Sequence, residues 1–83
     1  MDYAIAIYRS RNVTMQAYNY LVQRGVTAAI ISTPRSANVG CGLSVKLPVS
    51  ALPAVQDTLS RGETFVGFFL VKLTARGTLM TRL

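Results

Sequence analysis

The stretch Tyr3-Ala-Ile-Ala-Ile-Tyr8 decides the first element of the fold, and the rest of the chain is interpreted outward from it. This short run of apolar and aromatic residues predicts a buried β-strand. Ser10 or Asn12 then offers a side-chain N-cap for a helix. Apolar residues recur at helical spacing from Val13 to Arg24, and Gly25 supplies the left-handed conformation that commonly ends a helix.

The pattern continues with a strand, a turn, a strand, a second helix and a last strand. Ser50 is expected to cap the second helix, because serine is a preferred N-cap residue. Pro53 falls in the first turn of that helix, where its missing N–H costs little. The predicted strands are residues 26–32, 42–47 and 64–73, the predicted second helix is residues 51–61, and the predicted connection is residues 33–40.

This order of elements predicts the fold class α+β, as a ferredoxin-like βαββαβ two-layer sandwich. In that arrangement a four-stranded antiparallel sheet carries two helices on one face. At 83 residues the chain has room for one domain. We expect that domain at residues 1–73, followed by a basic C-terminal tail at residues 74–83.

The first and last predicted strands are apolar on both faces, whereas the helix-free face of a two-layer sandwich meets water. Along residues 3–8 and 65–71, odd- and even-numbered positions are both mostly apolar. An exposed apolar patch of this kind, on the order of several hundred Å², usually marks an interface. We therefore predict a homodimer formed through this sheet face. In the alternative, the C-terminal tail covers the face.

Composition limits the classes of function. Hydrophobic residues make up 51% of the chain and charged residues 14%, which argues against disorder. The net charge of +6 attracts anions, but the basic residues are scattered singly, which disfavours a nucleic-acid partner. One cysteine and no histidine leave no internal disulfide, zinc site or cofactor to expect, and predict a cytoplasmic protein. Neither a secretory signal nor a membrane span is expected.

The chemically distinctive residue is Cys41, the only cysteine, which lies between two glycines in the longest predicted loop. Glycines let a ligand or partner approach the backbone closely. The thiolate is the reactive form of cysteine, and a nearby arginine such as Arg35 lowers the thiol pKa. We therefore predict that Cys41 reacts. The predicted binding residues around it are Thr33, Pro34, Arg35, Gly40 and Gly42.

Other interpretations of these residues are weaker or remain open. A free cysteine is often a buried apolar filler, so a structural role for Cys41 stays open. No histidine is present to activate a serine as in a Ser-His-Asp triad. Tyr3, Tyr8 and Phe68 resemble a base-stacking surface, but the aromatic motif of RNA-recognition domains is absent and we favour a packing role.

Ser32-Thr-Pro-Arg35 followed by Gly40-Cys-Gly-Leu43 resembles the Putative Se/S carrier protein-like family, a small bacterial domain formerly of unknown function. The resemblance covers about residues 3–73, and its most specific feature is the pairing of Thr-Pro-Arg with Gly-Cys-Gly. It implies a carrier that holds sulfur or selenium on Cys41 as a persulfide or selenopersulfide. It also implies that Pro34 and Arg35 shape and charge the surroundings, and that donor and acceptor proteins are the partners.

Two functions from different classes follow. The first is a sulfur or selenium carrier, which is closer to a binding protein than to a classical enzyme. The second is a non-catalytic, dimeric, ferredoxin-like binding or regulatory module for a small anion or a partner protein, in which Cys41 is structural. The two differ in whether the Cys41 thiol reacts in the folded protein.

Overall fold

Strand β1 (Asp2–Tyr8) lies in the centre of a five-stranded antiparallel sheet. The computed structural model describes residues 2–34 and 39–83. The elements after β1 are α1 (Arg11–Gln23), β2 (Ala29–Ser32), β3 (Leu43–Leu47), a 3-10 turn (Val49–Ala51), α2 (Leu52–Leu59), β4 (Phe65–Thr74) and β5 (Gly77–Arg82). The strands lie in the order β2-β3-β1-β4-β5, and every neighbouring pair is antiparallel.

The predicted four-stranded ferredoxin-like sheet is wrong, because residues that we expected in a C-terminal tail form a fifth strand. Strand β5 pairs with β4 from Phe69 opposite Arg82 to Thr74 opposite Gly77. It lies at the edge of the sheet beside β4. The protein is therefore a small α+β domain with five antiparallel strands and two short helices.

A tight turn between β4 and β5 explains why the chain reverses here. The Thr74 hydroxyl accepts a hydrogen bond from the Arg76 N–H at 3.3 Å and donates one to the Gly77 carbonyl at 2.8 Å. Gly77 has a φ of +123°, a conformation that glycine adopts without steric cost. The turn therefore closes a β-hairpin that returns the last residues onto the sheet.

The larger part of the core lies between the sheet and the two helices. Its buried side chains are Ala4, Ala6, Tyr8, Ala17, Leu21, Val45, Leu47, Leu52, Val55, Leu59 and Phe68. Tyr8 joins the two layers, because its hydroxyl donates to the carbonyl of Leu59 at 2.8 Å. Burial raises the pKa of the Tyr8 phenol well above its ordinary value. The end of β1 is thus tied to the last residue of α2.

The opposite face of the sheet, which we call the open face, is also apolar. Ile5, Ile7 and Val71 are fully buried on it, and the apolar residues packed around them come from strands. The chain's last residues extend the sheet as β5 instead of folding back across this face, and it is their side chains that lie on it. One of them, Met80, packs beside Val71. The homodimer expected through this face stays a prediction.

The two helices begin in different ways. Ser10, one of the two predicted caps, caps α1, and its hydroxyl accepts a hydrogen bond from the Val13 N–H at 3.2 Å. The predicted cap at Ser50 is wrong, because Ser50 lies inside the 3-10 turn and α2 begins after Ala51 without a side-chain cap. In residues 2–34 and 39–83, no helix has the length and hydrophobicity needed to cross a membrane.

Candidate functional site

Cys41 lies at the end of the sheet where β1 ends and β3 begins. These strands are antiparallel neighbours, so the end of one and the start of the other meet at the same edge. The Cys41 N–H donates to the Tyr8 carbonyl at 3.0 Å, and the Thr33 N–H donates to the Gly42 carbonyl at 2.9 Å. These backbone hydrogen bonds hold the segment around the thiol against the ends of β1 and β2.

Gly40 brings the backbone next to Cys41 into close contact with β1. It has a φ of +81°, and a Cβ at this position would lie 2.6 Å from Ile7 Cγ2 and 2.8 Å from the Tyr8 carbonyl oxygen. Gly42 has a φ of +89°, but a Cβ there would meet no atom within 4 Å. Gly40 is therefore required both for its backbone conformation and for space, and Gly42 only for its conformation.

The Cys41 thiol is half-buried and contacts two polar groups. Its Sγ lies 3.6 Å from Thr14 Oγ1 and 3.7 Å from the carbonyl oxygen of Leu43. The carbonyl can only accept a hydrogen bond, whereas the hydroxyl can donate or accept one. The protonated thiol therefore donates to Leu43, and the thiolate has a donor in Thr14.

Thr14 is fully buried near the start of α1 and faces the thiol. Its hydroxyl donates to the Ser10 carbonyl at 2.9 Å, and the same carbonyl accepts the Thr14 N–H at 3.0 Å. When the hydroxyl turns to donate to Cys41, the Ser10 carbonyl keeps the N–H as its partner. The Thr14 hydroxyl can therefore donate to the Cys41 thiolate without leaving the buried Ser10 carbonyl unsatisfied.

The electrostatic environment of Cys41 favours the thiolate. Burial raises the pKa of the thiol, but the hydrogen bond with Thr14, the backbone contacts at Leu43 and Cys41, and the positive charge of Arg11 outweigh that effect. The pKa of Cys41 therefore lies below its ordinary value. Arg11 is the first residue of α1, whose N-terminal partial positive charge acts in the same direction.

The sequence model of the family described as Putative Se/S carrier protein-like matches residues 3–66 of the 83-residue chain. The matched segment contains Cys41, both flanking glycines and the start of α1. The chain belongs to the Putative Se/S carrier protein-like family. The description of this family refers to a selenium or sulfur carrier. Comparison with curated proteins and with solved structures found no match.

The structure brings only some of the predicted site residues of this Se/S carrier-like chain together. Thr33 and Gly42 are joined by their backbone hydrogen bond. However, the Thr33 hydroxyl pairs with the Ser44 hydroxyl at 2.6 Å, so this side chain is engaged with β3. Pro34 follows Thr33 and is half-buried. Arg35 lies outside the described residues, and its predicted place beside the thiol stays a prediction.

Sequence reasoning missed Thr14 and Arg11, which both influence the thiol within the part of the chain that the structure describes. A usable signal was the antiparallel pairing of the strands at 3–8 and 42–47, which brings residues 9–14 to the same edge as Cys41. The helix start was recognised from Ser10, but only as a cap. The topology therefore held information about the site that the motif around the cysteine did not contain.

Proposed function

We propose that this chain carries sulfur or selenium on Cys41, as a persulfide or a selenopersulfide. The observation that carries the proposal is the half-buried thiol whose Sγ lies 3.6 Å from the Thr14 hydroxyl at the positively charged start of α1. Such surroundings are typical of reactive cysteines, whereas structural cysteines lie among apolar groups. Membership of a family described as Se/S carrier-like supports the same chemistry.

Uptake begins when the Cys41 thiolate attacks the outer sulfur of a donor persulfide, R–S–SH. A bond forms between Cys41 Sγ and that sulfur, while the S–S bond of the donor breaks. The donor leaves as the thiolate R–S⁻ with both electrons of the broken bond, and the product is Cys41–S–SH. No external oxidant or reductant is needed. A selenopersulfide donor, R–S–SeH, leaves selenium on Cys41 by the same exchange.

Release follows the same chemistry in reverse. An acceptor thiolate attacks the outer sulfur or selenium atom, and Cys41 leaves as a thiolate. A thiol of lower pKa is a better leaving group, so the surroundings that favour the Cys41 thiolate assist this step. Thr14 and Arg11 stabilise the negative charge before uptake and after release. Arg35 is proposed as a further cation near the same atom.

The exchange needs two partner proteins, a donor that supplies the chalcogen and an acceptor that removes it. Cys41 returns to its starting state after each cycle, while the chain changes no bond within a small-molecule substrate. The proposed role is therefore that of a carrier between enzymes. A desulfurase-type enzyme, which forms a persulfide on its own cysteine, has the chemistry required of the donor.

Intact-mass measurement after incubation with such a donor tests the proposal. Because Cys41 is the only cysteine, each added atom can be assigned to it. We expect a mass gain of one sulfur atom when the donor enzyme acts on cysteine and of one selenium atom when it acts on selenocysteine. A reducing thiol removes either atom. The proposal fails if the wild-type chain gains neither atom, or if Cys41→Ser gains as much as wild type.

A further inference from the structure

We propose that the open face of the sheet is a docking surface for a partner protein that presents an apolar patch between two carboxylates. The identity of that partner rests on the proposed function: it is the protein that donates the chalcogen to Cys41 or accepts it from there. The proposal is independent of the contacts of the thiol itself. It depends on the arrangement of apolar and cationic side chains across four strands.

One row of residues crosses the open face from β3 to β5. The strand register places Lys46 beside Ile5, Ile5 beside Phe69, and Phe69 beside Arg82. The two ends of this row are cations. Of the two apolar residues between them, Ile5 is fully buried and Phe69 is half-buried, so Phe69 is the one that a partner can contact. Since neighbouring strands lie about 4.8 Å apart, the backbones at the two ends are separated by about 14 Å. The charged groups themselves lie away from this row, at Tyr3 and at Val66, and a matching partner has two carboxylates with an apolar group between them.

The two cations lie on the apolar surface of the sheet. Lys46 Nζ is 4.5 Å from the centre of the Tyr3 ring, and the Arg82 guanidinium is 5.6 Å from that of Phe69. Arg82 also donates to the carbonyl of Val66 at 2.9 Å. These contacts hold both cations in position before a partner arrives, so less side-chain entropy is lost on binding.

Gly67 gives the Arg82 side chain the space to lie flat on the sheet. A Cβ at Gly67 would come within 3.1 Å of Arg82 Nη2. Gly67 is buried although it carries no side chain, because the guanidinium extends over it. The cation at this end of the row is therefore part of the face and not a solvated side chain at the edge of the sheet.

A cleft of about 290 Å³ opens at the end of the face where β1 starts. Its walls include Tyr3, Ala29, Lys46 and Pro48 and are mostly apolar, and Asp2 contributes a carboxylate to the lining. A cleft of this size accepts a large apolar side chain. Interfaces obtain much of their binding energy from a few such anchoring side chains in pockets.

The other end of the open face reaches the loop that carries the thiol. Gly40, the neighbour of Cys41, packs directly on Ile7. Ile7 lies two residues along β1 from Ile5, or about 7 Å. A protein docked over the row from Lys46 to Arg82 therefore borders the Cys41 loop. The Cys41 sulfur itself contacts Thr14 of α1, so a partner docked here must also reach around this end of the sheet to exchange sulfur with it.

The charges favour this partner over a second copy of the chain. A twofold dimer would place the same patch of each copy face to face, so that Lys46 and Arg82 of one copy would lie against Lys46 and Arg82 of the other. The net charge of +6 adds repulsion between two copies. An acidic partner is attracted by the same charges.

The aromatic rings on the open face are also poorly suited to nucleic acid. Single-stranded bases bind by stacking on exposed ring faces. The Lys46 ammonium lies over the ring of Tyr3, and the Arg82 guanidinium lies over that of Phe69. The two cations therefore already occupy the ring faces that base stacking would need.

Titration of the isotope-labelled chain with a synthetic peptide, followed by NMR, tests the docking surface. The probe repeats the sequence Glu-Thr-Ile-Thr-Glu, which in an extended chain places a carboxylate, an apolar side chain and a carboxylate on one side. We expect amide shifts at Tyr3, Lys46, Phe69 and Arg82. The double variant Lys46→Glu/Arg82→Glu should bind about tenfold more weakly, because both ion pairs are lost.

The matched control is Lys72→Glu/Arg76→Glu, which has the same net charge as the test variant. Lys72 alternates with the open-face residues of β4, and Arg76 lies in the β4–β5 turn, so this variant should bind the peptide within about twofold of wild type. Equal weakening in both double variants would show attraction by net charge alone and would overturn the proposal. Peptide shifts confined to the helices, or no shifts at all, would also overturn it.

Two further outcomes would assign the face to another occupant and so reject the proposal. One is a wild-type dimer in sedimentation analysis that Lys46→Glu/Arg82→Glu converts to a monomer. The other is tighter binding of a single-stranded RNA oligonucleotide than of the peptide, with shifts at the same residues. If the double variant does not fold, Lys46→Gln and Arg82→Gln are tested singly, and each is expected to weaken binding of the peptide by about threefold.

Loading of the wild-type chain from glutathione persulfide is followed by intact mass in parallel. This small donor needs no docking surface, so it reports on Cys41 alone. Failure of loading contradicts the proposed function and leaves the peptide result to decide the docking surface. Loading with no peptide binding contradicts the docking surface and leaves the proposed function standing.

Discussion

Thr14 Oγ1 lies 3.6 Å from Cys41 Sγ and is the thiol's side-chain hydrogen-bond partner within the described part of the chain. The contact links the start of α1 to the loop before β3, two segments that lie 27 residues apart in the sequence. Thr14 is fully buried, whereas the thiol is half-buried. The buried Thr14 hydroxyl is therefore a fixed hydrogen-bond donor to a sulfur atom that an incoming reactant can still reach.

Replacing Thr14 with valine keeps the shape of the side chain and removes the hydroxyl. We expect Thr14→Val to raise the pKa of the Cys41 thiol, because the thiolate loses its donor. The rate of alkylation by iodoacetamide, measured as a function of pH, gives that pKa directly. Thr58→Val makes the same chemical change at an exposed site on α2 and should leave the profile unchanged. Identical profiles for Thr14→Val and wild type would mean that the hydroxyl does not stabilise the thiolate.

Replacing Arg11 with glutamine removes the positive charge that favours the Cys41 thiolate. We expect Arg11→Gln to raise the pKa of the thiol and to slow its alkylation below that pKa. The effect should shrink as salt is added, because Arg11 is exposed and its charge is screened.

Arg24→Gln is the matched control for Arg11→Gln, because Arg24 lies at the opposite end of α1. A helix of this length separates the two ends by about 20 Å, well beyond the screening length in physiological salt. Equal shifts in the two variants would indicate an effect of net charge rather than of the Arg11 position.

The sequence located most elements because their patterns are local. The run at residues 3–8 predicted β1, and the Ser10 cap with Gly25 predicted α1 to within two residues at each end. Strand β5 was missed because the segment after Thr74 is short, polar in part and exposed. What fixes it is hydrogen bonding to β4 and the turn at Gly77, which are tertiary features.

The sequence likewise predicted one part of the site and missed another. The glycines marked Cys41, and the structure shows that Gly40 serves to bring the loop against Ile7 and Tyr8. The sequence did not reveal the role of Thr14, because no local pattern connects a threonine within a helix to a distant thiol. Its role depends on the pairing of β1 with β3, and so on the assembled sheet.

Alanine at the two glycines separates backbone conformation from close packing. Gly42→Ala should lower the free energy of unfolding by about 1–2 kcal/mol, the cost of a left-handed conformation for an L-residue. Gly40→Ala should cost more, because its Cβ would also collide with Ile7 and with the Tyr8 carbonyl that accepts the Cys41 N–H. Urea unfolding measures both values. Equal losses would show that the loop moves away from β1 without cost.

Tyr8→Phe tests the hydrogen bond that ties β1 to α2. At neutral pH we expect the free energy of unfolding to fall by about 1–3 kcal/mol, because the Leu59 carbonyl loses its buried donor. Tyr18→Phe is the control, since the Tyr18 hydroxyl makes no hydrogen bond with the residues that the structure describes. A loss for Tyr8→Phe no larger than that for Tyr18→Phe would mean that the Leu59 carbonyl finds another partner.

We also predict that the stability difference between wild type and Tyr8→Phe depends on pH, because burial raises the pKa of the Tyr8 phenol. In the unfolded chain this phenol ionises near its ordinary value of 10.0, whereas burial keeps it protonated in the folded protein. Above pH 10.0 ionisation therefore stabilises the unfolded state of wild type but not that of Tyr8→Phe. Urea unfolding across this range should show the stability advantage of wild type over Tyr8→Phe shrinking as the pH rises. An advantage that stays constant would place the phenol in contact with water.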